Sequence, residues 1–303
     1  MIKSQDIPPN NEYILPHSRL YREKGTAFRE VFRPRKGCFF LFPRQAETPC
    51  WRFQAHYHDQ LEIYLSRSSE GTSRINGKTV RFGRGDCLLV PPGAIHDYDL
   101  TGSTDGMDLF MMIDLDHIPG TPPELFDSPA FRAPRVLSSP GLTETIRELY
   151  GLMPEEGQTG PEVLRRLSLF YRILEILSKE VTADTAAPEI PADPRQEKVR
   201  QIMDYLNENG CRDQSLEEIA RECSVSPWHM CRIFREYTSR SITEYRNTLR
   251  AERAAVLLGK GMSVTETAWQ CGYRSLSYFI RVFREHYGTS PGRYARQATG
   301  EKK

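Results

Sequence analysis

The hydrophobic pattern of the chain changes from short strand-like runs in its first half to helical periodicity in its second half. Apolar runs such as FREVFR, CFFLF, LEIYL, KTVRF and CLLVP are separated by turn signals, which is typical of β-strands. Asn76 and Gly77 lie between two such runs, and this pair favours a tight hairpin because both turn residues must adopt positive φ. Residues 1–140 are therefore predicted to form an all-β domain.

Residues 141–181 carry two helical patterns. The second pattern has a broad apolar stripe, formed by Leu164, Leu167, Tyr171 and Leu174 with Phe170, Ile173 and Leu177 beside it. This stripe either packs on the β domain or also joins two copies of the chain, and we expect a homodimer through these helices. The following segment, TADTAAPEIPADP at 182–194, is small, acidic and proline-rich, which predicts a linker.

Residues 195–303 have a helical pattern throughout and contain an internal repeat. RIFRE at 232–236 recurs as RVFRE at 281–285. Ser215, Ser241 and Ser263 each precede a glutamate by three positions, which is typical of a helix that begins with a capping box. Each repeat is predicted to be two short helices joined by a turn, so this all-α region should contain two helix-turn-helix units.

Charge and cysteine content narrow the possible classes of protein. From Arg195 onward the chain has 19 Lys and Arg against 13 Asp and Glu, whereas the preceding part has 22 against 27, so the net charges are +6 and −5. A basic C-terminal half indicates contact with nucleic acid. The 7 cysteines are scattered without a CxxC pair, which favours reduced thiols over a disulfide framework or zinc finger. Without a long apolar run or secretory signal, the protein is expected to be cytoplasmic, with no membrane partner.

Two polar motifs lie in the β region. HYHDQLE places His56, His58 and Glu62 close together, and GRGDCLLVPPGAIHDYD ends its tight turn with His96. The spacings HxHxxxE and GxxxxxPxGxxH resemble the two-motif signature of the cupin superfamily, which implies a small double-sheet jelly-roll barrel. In metal-binding cupins these three histidines and the glutamate are the ligands. The asparagine that usually closes the second motif is replaced by Leu100.

The helical region resembles the DNA-binding module of the AraC/XylS family of bacterial transcription regulators over about Val199 to Arg296. The second unit carries the family signature at Ala268, Gly272, Tyr273, Phe279, Phe283, Gly288, Pro291 and Tyr294. Ser224 and Ser239 stand where glycine is common in the family. A cupin barrel in front of this module implies a sensor, and PPGAIHDYD is similar to the pocket strip of an arabinose-responsive member of the family.

These resemblances assign candidate residues to two sites. The expected DNA-contacting side chains are Trp228, His229, Cys231, Arg232, Arg235, Arg274, Ser275, Leu276, Ser277, Tyr278, Ile280, Arg281 and Arg284. The expected effector-contacting side chains are His56, His58, Glu62, Tyr64, His96 and Tyr98. No catalytic residue and no cofactor is expected; a transition metal at His56, His58, Glu62 and His96 is the alternative for the second site.

The sequence thus predicts a two-domain protein: a cupin barrel with flanking dimerisation helices, then a double helix-turn-helix domain. The predicted function is a sequence-specific transcription regulator that binds double-stranded DNA, a small polar effector such as a sugar, and the transcription machinery. One rival is a metal-dependent cupin enzyme, an isomerase or dioxygenase, with a DNA-binding tail. The other is a regulator without ligand control, whose barrel only dimerises and is filled by its own side chains.

Overall fold

The computed structural model describes residues 39–45, 50–102, 107–115, 118–121, 126, 129–152, 159–183 and 193–299. They form two compact units that divide at Asp193. The predicted strand FREVFR lies outside the described residues. Among the described helices, none combines the length and the apolar character that are needed to cross a bilayer.

The N-terminal unit contains two antiparallel sheets, as the cupin resemblance predicts. The five-stranded sheet has the order β1 (Phe39–Gln45), β8 (Met107–Ile113), β3 (Leu61–Leu65), β6 (Cys87–Val90) and β9 (Arg135–Leu137). The four-stranded sheet has the order β2 (Cys50–His56), β7 (His96–Gly102), β4 (Ser69–Ile75) and β5 (Lys78–Phe82). A 3-10 helix (Pro129–Arg132) precedes β9.

The β4–β5 hairpin turns at Asn76 and Gly77, whose φ angles of +48° and +79° confirm the predicted turn. Asn76 also anchors the turn to the segment that leads into β7. Its backbone N–H donates to the Ile95 carbonyl at 2.8 Å, and its side-chain oxygen accepts from the Ile95 N–H at 2.9 Å. This pair of bonds fixes the backbone immediately before His96.

The five-stranded sheet is buried on both faces. Side chains alternate along a strand, so Leu61, Ile63 and Leu65 face one side while Glu62 and Tyr64 face the other. The first set packs in a core with helices α1 (Pro140–Gly151) and α2 (Gly160–Ala183). The second set faces the four-stranded sheet and the barrel interior, where Tyr64 joins a separate apolar cluster. Burial of both faces explains why LEIYL lacks the polar alternation of a surface strand.

The apolar stripe of α2 divides between two environments. Phe170, Ile173, Leu174 and Leu177 are at most 4 % exposed and pack on the sheet, and Phe170 stacks on Phe39 with 4.3 Å between ring centroids. Four other large apolar side chains of α2 are exposed, namely Val163, Leu164, Leu167 and Tyr171. Part of the stripe thus packs on the sheet, and a dimer contact through the exposed part stays a prediction. The helix continues through Ala183, two residues into the predicted linker.

The C-terminal unit is helical and contains both predicted helix-turn-helix units. Its helices are α3 (Pro194–Asn209), α4 (Leu216–Glu222), α5 (Pro227–Thr238), α6 (Ile242–Gly259), α7 (Val264–Gln270), α8 (Leu276–Tyr287) and α9 (Pro291–Thr299). The pairs α4–α5 and α7–α8 are the two units, and α6 joins them. Each second helix buries one apolar face, which leaves the other face for a partner.

The predicted helix starts coincide with those of the structure. Ser215 and Ser241 form complete capping boxes with Glu218 and Glu244. Ser263 caps α7 by accepting a hydrogen bond from the Glu266 N–H at 3.2 Å, and its hydroxyl donates to the Glu266 carboxylate at 2.7 Å. These local contacts satisfy backbone donors that a helix N-terminus leaves unpaired.

Candidate functional site

Four polar side chains converge inside the barrel. His56 ends β2, His58 lies in the connection to β3, Glu62 lies on β3 and His96 begins β7. One ligand atom from each side chain lies within 4.8 Å of all the others, and each residue is at most 3 % exposed. The two sequence motifs therefore meet at one buried polar cluster, which we call the His-Glu cluster.

The three imidazole rings are oriented in the same way. Each Nδ1 lies 2.8 to 3.0 Å from the backbone carbonyl of the residue two positions away. A carbonyl oxygen only accepts, so Nδ1 carries the proton and donates in each ring. In the neutral tautomer the lone pair then lies on Nε2. At His56 and His96 this lone pair can accept a hydrogen bond from a ligand, and Nε2 is the ring atom that would bind a metal ion.

Glu62 lies at the centre of the cluster. Its Oε2 is 3.1 Å from His58 Nε2 and 3.6 Å from His96 Nε2, and its Oε1 accepts a hydrogen bond from the Tyr98 hydroxyl. Within the described structure, His96 Nε2 has no hydrogen-bond partner. Tyr98 follows His96 by two positions on β7, so both side chains face the interior.

The cluster holds one carboxylate and at least one neutral imidazole. Although burial alone would raise it, the pKa of Glu62 lies well below its usual value because the His58 and His96 rings face the carboxylate. Burial, reinforced by repulsion from His96 and His58, lowers the pKa of His56 well below its usual value. Burial and the adjacent Glu62 charge raise the pKa of Tyr98, which stays a hydroxyl donor.

The donor set fits a first-row transition metal. Three imidazoles and one carboxylate are ligands that such ions accept, and metal-bound histidines ordinarily donate their other ring N–H to an acceptor, as all three do here. Metal bonds of about 2.1 Å place opposite ligand atoms about 4.2 Å apart, so the 4.8 Å span needs only a small contraction. A bound ion would supply positive charge beside Glu62 and open positions for an oxygen ligand.

Aromatic side chains surround the His-Glu cluster. Tyr64 packs against Tyr98 and Phe110 with ring centroids 5.2 and 4.7 Å apart. The Tyr64 hydroxyl, however, donates to Asp108 at 2.7 Å. Asp108 also accepts from the backbone N–H groups of Arg67 and Ser68. The sequence motifs did not indicate Asp108, because its partners come from a different part of the chain.

The predicted DNA-contacting side chains lie mainly on the solvent faces of α5 and α8. Nine of them are exposed, namely Trp228, Arg232, Arg235, Arg274, Ser275, Ser277, Ile280, Arg281 and Arg284. The other four are partly exposed: His229, Cys231, Leu276 and Tyr278. At 73 % exposure, Trp228 is not the buried anchor that its size would also allow.

The repeat places matching arginines on the two helices. Arg232 lies over the Trp228 ring at 5.3 Å and 4.0 Å from Glu236. Its counterpart Arg281 lies over the Tyr278 ring at 5.0 Å and 2.9 Å from Glu285. Stacking and ion pairing of this strength hold a guanidinium only loosely at an exposed site. Both arginines can therefore exchange these partners for the acceptors of DNA.

Arg274 has a different environment, because it links the two helix-turn-helix units. Its Nε lies 2.5 Å from the carboxylate of Asp213, which belongs to the segment between α3 and α4. The sequence placed Arg274 among the expected DNA contacts and did not indicate this ion pair. The pair is exposed on both sides, so it contributes little stability by itself.

Comparison with known proteins covers both units. A model of the AraC-like ligand binding domain matches residues 40–174, and a model of a helix-turn-helix domain matches residues 219–297. Among similar proteins is the HTH-type transcriptional activator RhaS of Salmonella schwarzengrund strain CVM19633. The two sequences are 26 % identical over 261 residues, and the match covers 82 % of this chain and 89 % of RhaS.

One similar solved structure is wild-type ToxT from Vibrio cholerae strain SCE256 with a bound unsaturated fatty acid. The two chains are 15 % identical and superpose with a TM-score of 0.45. The match covers 89 % of this chain and 99 % of the ToxT chain. A DNA-binding transcriptional dual regulator from Escherichia coli K-12 is 31 % identical, with a TM-score of 0.32 and coverage of 34 % of this chain and 94 % of that one.

Proposed function

Since the chain belongs to the AraC family of DNA-binding transcription regulators, we propose that a small polar effector, bound in the barrel, controls how a homodimer of this protein binds its operator. The observation that supports effector control is the His-Glu cluster. A buried group of three imidazoles and a carboxylate is costly to maintain, and such groups fix the orientation of polar ligands in otherwise apolar pockets.

The DNA-binding half of the proposal assigns one recognition helix to each of two successive major grooves. The joining helix α6 has 18 residues and a length of about 27 Å, which suits a spacing near one turn of DNA, about 34 Å. Arg232 would reach guanine or phosphate, while Trp228, Leu276 and Ile280 would contact thymine methyl groups. The remaining arginines would bind phosphates. DNA binding implies a cytoplasmic protein that acts together with the transcription machinery.

The effector contacts would come from side chains that already share the barrel interior. His96 and Tyr98 are the principal candidates, because the His96 Nε2 and the Tyr98 hydroxyl are placed around the same carboxylate. His56, His58 and Glu62 would complete the polar contacts, and the Tyr64 ring would form an apolar wall. Hydroxyl-rich ligands match this combination of donors, acceptors and aromatic surface.

Thermal unfolding with a panel of monosaccharides and sugar acids tests effector binding. A ligand that binds only the folded barrel should raise the melting temperature by mass action. His96→Ala and Tyr98→Phe should reduce this increase and the transcriptional response together, while DNA binding without ligand stays unchanged. Tyr150→Phe is the matched control, because that hydroxyl donates to Met107 outside the His-Glu cluster. If no compound raises the melting temperature, the regulator without ligand control is favoured.

A metal-dependent barrel is the second candidate, and the shared Nδ1-to-carbonyl geometry supports it. Elemental analysis of untagged protein should then find about one equivalent of transition metal, because all four ligands are buried together. His56→Ala and His96→Ala should each lose it, whereas His229→Ala in the helical unit should keep it. Metal-free wild-type protein, after purification without chelators, would exclude this candidate.

A further inference from the structure

Cys211 and Cys271 lie side by side although sixty positions separate them in the sequence. Cys211 belongs to the segment between α3 and α4, and Cys271 is the C-cap of α7. The Cys211 carbonyl lies against Gly272, the residue after Cys271, and the two thiols are within hydrogen-bonding reach of each other. Cys271 is fully buried, whereas Cys211 is partly exposed, so a small solute reaches Cys211 first.

The backbone around the two cysteines is fitted closely. Gly272 has a φ of +76°, and a Cβ atom at this position would lie 2.0 Å from the Cys211 carbonyl oxygen. Arg250 holds the Cys211 segment from the other side, since its Nε and Nη2 donate to the carbonyls of Gly210 and Arg212, both at 2.8 Å. The proximity of the two sulfur atoms is therefore fixed by packed backbone and does not depend on a flexible surface loop.

The two thiols differ in reactivity. The hydrogen bond from Cys271, together with the positive charges of Arg250, Arg253 and Arg246, lowers the pKa of Cys211 below that of an ordinary thiol. A lowered pKa favours the thiolate, which is the nucleophilic form of cysteine. The same hydrogen bond, together with burial, raises the pKa of Cys271, which stays protonated. One sulfur suits initial attack and the other suits the closing step.

We propose that Cys211 and Cys271 are a peroxide-responsive pair whose disulfide links the two helix-turn-helix units and weakens DNA binding. The Cys211 thiolate attacks a peroxide oxygen, the O–O bond breaks, and the products are a sulfenic acid at Cys211 and hydroxide. The Cys271 sulfur then displaces the hydroxyl from the Cys211 sulfur, and its proton leaves with that hydroxyl as water. Two thiols are oxidised while hydrogen peroxide is reduced to two waters.

The disulfide would act on DNA binding through the turn that follows Cys271. A disulfide holds its sulfur atoms about 2 Å apart, closer than any thiol hydrogen bond, so in this proposal the side chains turn toward each other and draw one segment with them. Arg250 ties the Cys211 segment to α6 by two hydrogen bonds but contacts the turn at 271–275 by stacking over the Tyr273 ring at 5.5 Å, so the turn is the part that moves. This turn carries Arg274 and leads into α8, whose position against DNA it sets.

Peptide mapping by mass spectrometry tests the pair in the full-length protein. After treatment with hydrogen peroxide, the wild type should yield linked peptides that contain Cys211 and Cys271, and a dithiol reductant should separate them. Cys211→Ser and Cys271→Ala should each abolish this product. Cys223→Ser is the matched control, because Cys223 is the buried C-cap of α4 as Cys271 is of α7 but lies outside the Cys211–Cys271 pair. It should leave the link intact.

The effect of the disulfide on DNA affinity is measured by fluorescence anisotropy, with a duplex selected from a random library. The linked wild type should bind about tenfold more weakly than the reduced protein, which corresponds to the loss of roughly one base contact. The Cys211→Ser variant should bind DNA as tightly as the reduced wild type, because residue 211 is partly exposed. Its affinity should not change on treatment with peroxide. Absence of the Cys211–Cys271 link, or equal affinity of the linked and reduced forms, would overturn the proposal.

Discussion

Two serines occupy left-handed turns where the repeat otherwise has glycine. Ser224 and Ser239 have φ angles of +51° and +60°, and their counterparts in the second unit, Gly272 and Gly288, have +76° and +69°. Side chains with a Cβ rarely adopt this region, because the Cβ approaches the following carbonyl oxygen. The first unit therefore forms the same two turns as the second, at a cost in conformational energy.

Ser239→Gly should increase the free energy of unfolding of the helical unit by about 0.5–1 kcal/mol, because removal of the Cβ strain outweighs the added entropy of glycine in the unfolded chain. Urea denaturation, followed by circular dichroism, measures this change. The reciprocal substitution Gly288→Ser should decrease stability by a similar amount, since no atom lies near a Cβ at that position. Equal midpoints for Ser239→Gly and wild type would show that the serine side chain stabilises its turn.

Local pattern was sufficient to predict most helices and strands. The Asn76-Gly77 hairpin, the serine caps and the repeated helix pairs depend on residues within a few positions of one another, and all are present. The convergence of His56, His58, Glu62 and His96 was also predicted, because two strand motifs carried the spacing. Tertiary contacts were not predictable in this way. The Tyr64 hydroxyl bonds to Asp108, and Cys211 meets Cys271, only after distant segments pack together.

In the α2 helix, too, local sequence pattern predicted the helix but not its tertiary contacts. Its periodicity identified an apolar stripe, but periodicity does not say which partner covers each residue. In the structure Leu174 is buried at 4 % exposure, whereas Leu164 and Leu167 are 68 % and 41 % exposed. The exposed part is the surface that we expect a second copy of the chain to cover, because isolated large apolar side chains are common on a surface but a stripe along one helix is not.

Leu164→Asp and Leu167→Asp should each convert a dimer to a folded monomer, because a charge in an apolar contact carries a large desolvation cost. Sedimentation velocity measures the mass, and circular dichroism checks the fold. Leu174→Asp should instead unfold the N-terminal unit, since its side chain packs on the sheet. Arg172→Asp is the control on the polar side of α2, where the side chain is 56 % exposed, and it should remain dimeric. A dimer that survives both leucine substitutions places the interface elsewhere.

The two parts of the chain carry opposite net charges, and only the positive part suits binding to DNA. The part from Arg195 onward carries six excess positive charges, and the arginines of α5 and α8 are among its exposed side chains. The preceding part is acidic, and its His56, His58, His96 and Glu62 side chains are buried. A barrel with net negative charge has little affinity for phosphates, so contact with DNA falls to the helical unit. Separate units allow a ligand in the barrel to alter DNA binding without occupying the DNA-contacting surface.

A fragment of residues 193–303 should therefore bind the selected operator alone, more weakly than the full chain because it lacks the expected dimer contact. Its affinity should fall steeply with salt, since each phosphate contact releases condensed counterions. Arg232→Ala in this fragment should cost roughly 1–3 kcal/mol and relax the preference at one base position if the guanidinium reads a base edge. Fluorescence anisotropy on operator and scrambled duplexes, at several salt concentrations, distinguishes a base contact by Arg232 from a phosphate contact. A loss that is equal on both duplexes, with a shallower salt slope, would assign Arg232 to a phosphate.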